Sequence, residues 1–202
     1  MSKIKIPQNI KIVTVSGLHS NIGKTLLSQH LLGLLKNAAA VKMTTSDAES
    51  FITDSNEIIM VEGKDTWRLK MSGASKVVWI TSPEDKTLEL FKESLSLVSS
   101  YKRLLIEGNS ILKYLDPDLS FFLCDRRILA YDKIKPSRKL ALGKTNVIIN
   151  NLRGESSNEQ EHAQIAEFCD GFNSTAEFIN LDLSKTDTAI RTLKKILNRY
   201  DL

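Results

Sequence analysis

The sequence predicts an α/β fold of three layers, a mainly parallel sheet with helices on both faces. Three observations carry that prediction. Short apolar runs of strand length recur at residues 12–15, 76–81, 102–106, 119–124 and 146–149. Longer stretches with apolar residues at helical spacing lie between several of them. The first strand and the first helix are joined by a loop that ends in Gly23-Lys24-Thr25. A chain of 202 residues suits one α/β domain spanning residues 1–202.

Ile12-Val13-Thr14-Val15 is a β-branched run of the kind that forms a buried parallel strand. It stops at Ser16-Gly17, and Leu26, Leu27, His30, Leu31, Leu34 and Leu35 then form one face of a helix. Strand, glycine loop, Gly-Lys-Thr and helix are the context of a phosphate loop. Amides at a helix start lack intrahelical partners, and the helix dipole favours negative charge there. Gly23 lets the backbone approach a phosphate without a Cβ. Lys24 is a flexible point charge for the β- and γ-phosphates. Thr25 offers a hydroxyl to Mg²⁺, which prefers oxygen ligands. The expected nucleotide-binding set is Gly17, His19, Ser20, Asn21, Ile22, Gly23, Lys24, Thr25 and Leu26. Five residues, rather than the usual four, separate Gly17 from Gly23, and Leu18 stands where the common spacing places the first glycine. His19 either bonds a phosphate or supports the loop.

Residues 38–44 read as the second strand, ending in the polar Thr45-Ser46-Asp47. Lys42 inside that run fits an edge position or a functional one. Residues 57–61 are apolar and fit a strand or the approach to a loop. Asp65 or Thr66 caps a short helix that closes at Gly73. Residues 76–81 form a strand, and Ser82-Pro83-Glu84 opens a helix over 84–99 with Leu88, Phe91, Leu95 and Val98 inward. Residues 102–106 form another strand, which ends in Glu107-Gly108. An acidic residue at the end of a buried strand beside a phosphate loop is placed to organise a metal, and Glu107 takes that role.

Residues 119–124 are a strand, and 126–144 are basic and irregular. Such a run is a solvated loop or, after a strand tip, an anion-binding lid. Residues 146–151 give the next strand and its tip. Asn150 or Asn151 there could read a purine edge, because an amide both donates and accepts. No Asp follows in the Asn-Lys-x-Asp arrangement that selects guanine, so the base stays open between GTP and ATP. A helix over 159–169, a strand over 176–181 and a helix over 184–198 complete the chain. The last helix turns Ile190, Leu193, Ile196 and Leu197 inward.

Composition excludes several classes. At 42% hydrophobic and 26% charged the chain is ordinary and globular. A formal net charge of +4 is mild for this length and does not indicate a nucleic-acid partner. Residues 1–8 lack the apolar core of a signal peptide, and no run approaches membrane-span length, so a cytoplasmic setting without a membrane partner is expected. Cys124 and Cys169 form no Cys-x-x-Cys pair, and no His/Cys cluster has metal-ligand spacing.

The loop over residues 15–25 resembles that of dethiobiotin synthetase and cobyrinic acid diamide synthase relatives, which belong to the SIMIBI class of P-loop NTPases. Over residues 10–125 the chain resembles the molybdopterin-guanine dinucleotide biosynthesis protein B family. The likeness lies in Gly63-Lys64-Asp65-Thr66-Trp67-Arg68, in Ser72-Gly73-Ala74 before a strand, in Leu105-Ile106-Glu107-Gly108, and in Lys42. The resemblance implies a GTP-binding protein, often a homodimer, that works beside the enzyme attaching GMP to molybdopterin. The expected activity is Mg²⁺-dependent binding and slow hydrolysis of a purine nucleotide. Lys24, Asp65 and Glu107 would be the catalytic set, and Thr25, Glu107 and Asp65 the metal set. An ATP-dependent ligase or kinase of the dethiobiotin synthetase type is the alternative enzyme, with Lys42, Asp47 and the basic stretch around its substrate. A nucleotide-binding scaffold that does not hydrolyse is the third class.

Overall fold

Alternation along β1 (Lys11–Gly17) sets the layers. Val13 and Val15 point into one apolar cluster and Ile12 into another, so both faces of the strand are covered. The computed structural model describes residues 3, 4, 6, 7, 9–130, 134–154 and 158–202. After β1 come α1 (Lys24–Leu34), β2 (Ala38–Thr45), β3 (Phe51–Thr53), α2 (Asn56–Ile59), α3 (Asp65–Met71) and β4 (Lys76–Ser82). Next are α4 (Thr87–Val98), β5 (Arg103–Glu107), β6 (Leu119–Cys124), α5 (Pro136–Lys144) and β7 (Val147–Asn151), then α6 (Glu159–Asp170), β8 (Glu177–Leu181) and α7 (Thr186–Arg199).

The eight strands form one sheet in the order β3-β4-β2-β5-β1-β6-β7-β8. All neighbours are parallel except β3, which runs antiparallel to β4. One face is covered by α1, α2, α3 and α7 through Leu27, Leu31, Ile59, Leu69, Leu193 and Leu197. On the other, Phe91 and Val98 of α4 cover one half, and α5 and α6 cover the second half with Ala141, Leu142, Ile165 and Cys169. The expected three-layer α/β fold is the fold observed.

Several local expectations change. Residues 57–59 are helical and no strand, whereas Met60 and Val61 do lead into the turn before α3. The Ser55 carbonyl accepts from the amides of Ile58 and Ile59, which closes the single turn of α2. Phe51–Thr53 adds a strand that three residues are too few to signal. The basic run of residues 126–144 is not irregular throughout, because Arg126–Ala130 make a 3-10 turn and α5 follows. Pro136 presets the first turn of α5, and Ala141 and Leu142 anchor it. Residues 131–133 of that run lie outside the described residues. In α7, Ala189 takes the inward place expected of Ile190, which is exposed. Lys42 is not at an edge, because β2 lies between β4 and β5. Among the described residues, no helix is long and apolar enough to cross a membrane.

Leu31 of α1 is fully buried. Leu31→Ala should cost about 2–5 kcal/mol of unfolding free energy, read as a lower urea midpoint at unchanged slope.

Candidate functional site

The loop between β1 and α1 is fixed by side chains, by carbonyls and by the amide at its start. Asn109 clamps Gly17 from both sides: its Oδ1 accepts from the Gly17 amide at 2.8 Å, and its Nδ2 donates to the Gly17 carbonyl at 3.0 Å. The Leu18 amide donates to the Leu123 carbonyl of β6 at 2.9 Å. Asn151 Nδ2 donates to the Ile22 carbonyl at 2.9 Å. Among the described residues, the amides of residues 19–26 make no protein hydrogen bond of good length and angle, although Ser20 and Asn21 form a turn. Eight consecutive donors are thus left at the carboxyl end of the central strand. Asn21 at φ 61° and Gly23 at φ 106° turn the chain in left-handed conformations to make this bend. A Cβ at Gly23 would also come within 2.7 Å of Asn151 Nδ2.

The loop opens onto a cavity of about 1060 Å³. His19, Ser20, Asn21, Gly23, Lys24 and Thr25 line its floor. Leu26 reaches it as well, whereas Ile22 is buried beneath with only its backbone in the loop. Lys24 Nζ donates to the His19 carbonyl at 3.2 Å, which holds the ammonium across the loop. Burial lowers its pKa, Glu107 opposes that effect, and the neighbouring Lys42 and Arg138 add to it.

Glu107 closes the cavity from β5 and is 1% exposed. Its Oε1 accepts from the Thr25 hydroxyl at 3.2 Å and its Oε2 from the Ser28 hydroxyl at 3.2 Å. Lys42 stands opposite it in the β2–β5 register and bonds the same Oε1. Lys42 Nζ also donates to Asp65 Oδ2 at 2.8 Å. Burial alone would lower Lys42, but the Glu107 charge and the bonds to Asp65 and Glu107 outweigh it and raise its pKa. Asp65 answers in reverse. Burial works to raise its carboxyl, yet Lys42, with help from Thr25 and Arg68, holds it below the usual range. The structure therefore brings Lys24, Thr25, Asp65 and Glu107 together, as expected, and adds Lys42 among them. Three oxygen-bearing side chains converge, a donor set that suits a hard divalent cation.

Asn151 has a bracing role as well. With Nδ2 donating to Ile22 and Oδ1 accepting from the Leu183 amide at 3.3 Å, its amide braces the loop, while one N–H and one lone pair stay unused, among the described residues, at the wall of a second cavity. Asn150 donates to Asn180 Oδ1 at 2.8 Å and lines the same cavity of about 470 Å³. Arg153, Leu152, Glu161 and His162 line it too. Asp125, at the end of β6, belongs to its wall and touches His19 Nε2 at 3.2 Å. The other ring nitrogen of His19 lies 2.6 Å from the Ser20 carbonyl, so His19 supports the loop.

Sequence reading missed Asn109, Ser28 and Arg138. Ser28 lies three residues after Thr25, so both hydroxyls share a helix face, and that spacing was readable. Asn109 follows Glu107-Gly108 closely enough to be suspected. Arg138 was hidden inside the basic run. It lines the main cavity with Lys135, also from the basic stretch, while Trp67 and Arg68 come from α3.

The three-layer α/β fold that presents this site is shared with solved structures. Among solved structures, HypB from Helicobacter pylori in complex with nickel is similar at a TM-score of 0.59 and 15% identity, covering 95% of this chain and 86% of that one. The hydrogenase maturation factor HypB from Archaeoglobus fulgidus gives 0.60 and 16%, covering 94% and 91%. LpxK from Aquifex aeolicus in complex with ATP gives 0.51 and 13%, covering 89% and 73%. At these identities the likeness is one of fold. No protein-family model matches the chain, and no curated protein matches it in sequence.

Burial works to raise the Asp125 carboxyl, but the Arg127 side chain, the Arg127 amide and His19 outweigh it and hold its pKa below the ordinary value. A depressed folded pKa contributes stability that is present above the unfolded value of about 3.9 and is lost as pH falls through the folded one. Asp125→Asn should therefore lower the urea midpoint at pH 7 and flatten its decline below about pH 4.

Proposed function

We propose that this protein binds a purine nucleoside triphosphate with Mg²⁺ in the main cavity and hydrolyses it slowly. The row of unpartnered amides over residues 19–26 carries the reading, because a dipole-aligned set of free N–H groups beside a lysine suits polyphosphate. Lys24 would leave the His19 carbonyl for the β- and γ-phosphates. Thr25 and Glu107 would hold Mg²⁺, Glu107 directly or through water, with Asp65 beside the γ-phosphate. The metal, when bound, neutralises charge on the phosphate oxygens. Around it the protein's part is positioning: the amides fix the phosphates, and Asp65 orients the attacking water.

We place the base toward the second cavity, where Asn150 or Asn151, both lining it, would read its edge. GTP is favoured over ATP by the resemblance to the molybdopterin-guanine dinucleotide biosynthesis protein B family. The same resemblance supports a role beside a molybdenum-cofactor enzyme, with the protein as a homodimer in the cytoplasm. Lys24→Ala should abolish measurable nucleotide binding in calorimetry while leaving the circular dichroism and melting of the free protein nearly unchanged. Undiminished binding in that variant would overturn the site.

One observation favours a second reading. The main cavity continues past the loop to Ser46, Asp47, Trp67, Lys135 and Arg138. That polar, cationic extension suits an anionic acceptor next to a γ-phosphate, as in an ATP-dependent ligase or kinase of the dethiobiotin synthetase type. Phosphate release measured with a panel of carboxylic acids separates the two. A strong rise with one acid and ATP supports the ligase, and a flat response supports slow hydrolysis alone.

A further inference from the structure

We infer that Lys42 is a tethered counter-ion standing in the divalent cation's place, so that metal enters with or after the nucleotide and not before it. This deepens the nucleotide reading and rests on it for the order of binding.

The geometry is specific. The ammonium of Lys42 bonds Glu107 Oε1 and lies 2.8 Å from Asp65 Oδ2. The Thr25 hydroxyl is 3.2 Å from that same Glu107 oxygen. These are the three residues with the oxygen donors that would hold the metal, and a side-chain cation is already among them. Lys42 is 14% exposed and Glu107 1%, so each would be costly to leave without the other. Lys24 does something different in the same cavity, since it rests on a loop carbonyl and pairs with no carboxylate within 4.0 Å among the described residues.

A divalent ion arriving alone would have to displace an ammonium already bonded to both carboxylates. Lys24 and Lys42 repel each other in the same cavity, and its other acids, Asp47 and Glu84, form no ion pair with Lys42 within 4.0 Å among the described residues. A polyphosphate in the loop changes that balance. It gives the flexible lysine stem a new anionic partner and frees Glu107 and Asp65 together. The outcome is conditional metal binding set by one side chain.

The test uses the full chain and Mn²⁺, whose free form is counted by electron paramagnetic resonance. Wild type, Lys42→Met and Lys42→Gln are titrated without nucleotide after circular dichroism confirms folding. Lys42→Gln keeps hydrogen-bond donors toward both carboxylates, which protects the buried Glu107 should Lys42→Met fail to fold. The folded variants should bind Mn²⁺ at least about tenfold more tightly than wild type. Equal or weaker binding would overturn the inference, because a merely structural lysine predicts no gain. Adding a non-hydrolysable GTP or ATP analogue should tighten Mn²⁺ binding to wild type at least about tenfold and to the variants far less. Wild type that binds Mn²⁺ equally tightly with and without a bound analogue would also overturn it. An analogue that does not bind at all would sink the nucleotide reading and the binding order drawn from it, while the nucleotide-free comparison still decides whether Lys42 blocks the metal.

Discussion

A carboxylate sealed inside a protein must be neutralised where it stands, and Glu107 imposes that condition on this one. Its two oxygens are met by Lys42 from β2 and by Thr25 and Ser28 from α1. Two neighbouring parallel strands, β2 and β5, and the helix α1 are therefore held at one point. Replacing a partner would strand a charge at a cost of several kcal/mol, far more than a surface ion pair is worth. The location of the charge also decides the site, since it lies at the end of β5 beside the central strand, where crossovers leave a crevice.

The loop shows how rigidity and open donors coexist. Gly17 and Leu18 are tied to Asn109 and to β6, the Ile22 carbonyl to Asn151, and His19 to Asp125 and Ser20. Those bonds use side chains, carbonyls and the first two amides of the segment. The amides that remain are held in place without being spent, which lowers the entropy a ligand must overcome. Apart from the local His19–Ser20 contact, each brace comes from an element distant in sequence, so the cradle is a property of the whole sheet.

Much of this was readable before any coordinates. The β-branched runs and the leucine face of α1 follow from periodicity, and Gly23-Lys24-Thr25 and Glu107 from their positions at strand ends. What could not be read depends on strand order or on tertiary bonding. Lys42 looks like an edge residue until β2 is placed between β4 and β5. That Asn151 also braces the loop shows only once its amide is seen to reach the Ile22 carbonyl and the Leu183 amide. The nine residues of α5 hold only Ala141 and Leu142 as buried anchors among basic neighbours, so composition concealed the helix.

Phe51–Thr53, a mere three residues, has an effect at the rim of the sheet out of proportion to its length. It lies in reverse along β4, pairing Phe51 with Thr81 and Thr53 with Trp79, and the Phe51 and Trp79 rings meet edge to face at 5.0 Å. Without it, the apolar β4 would offer passing chains a bare ladder of main-chain groups. So short a cover leaves little length on which another molecule could register. The margin is thereby blunted against fibre-like stacking, a protection this parallel architecture cannot obtain by closing on itself.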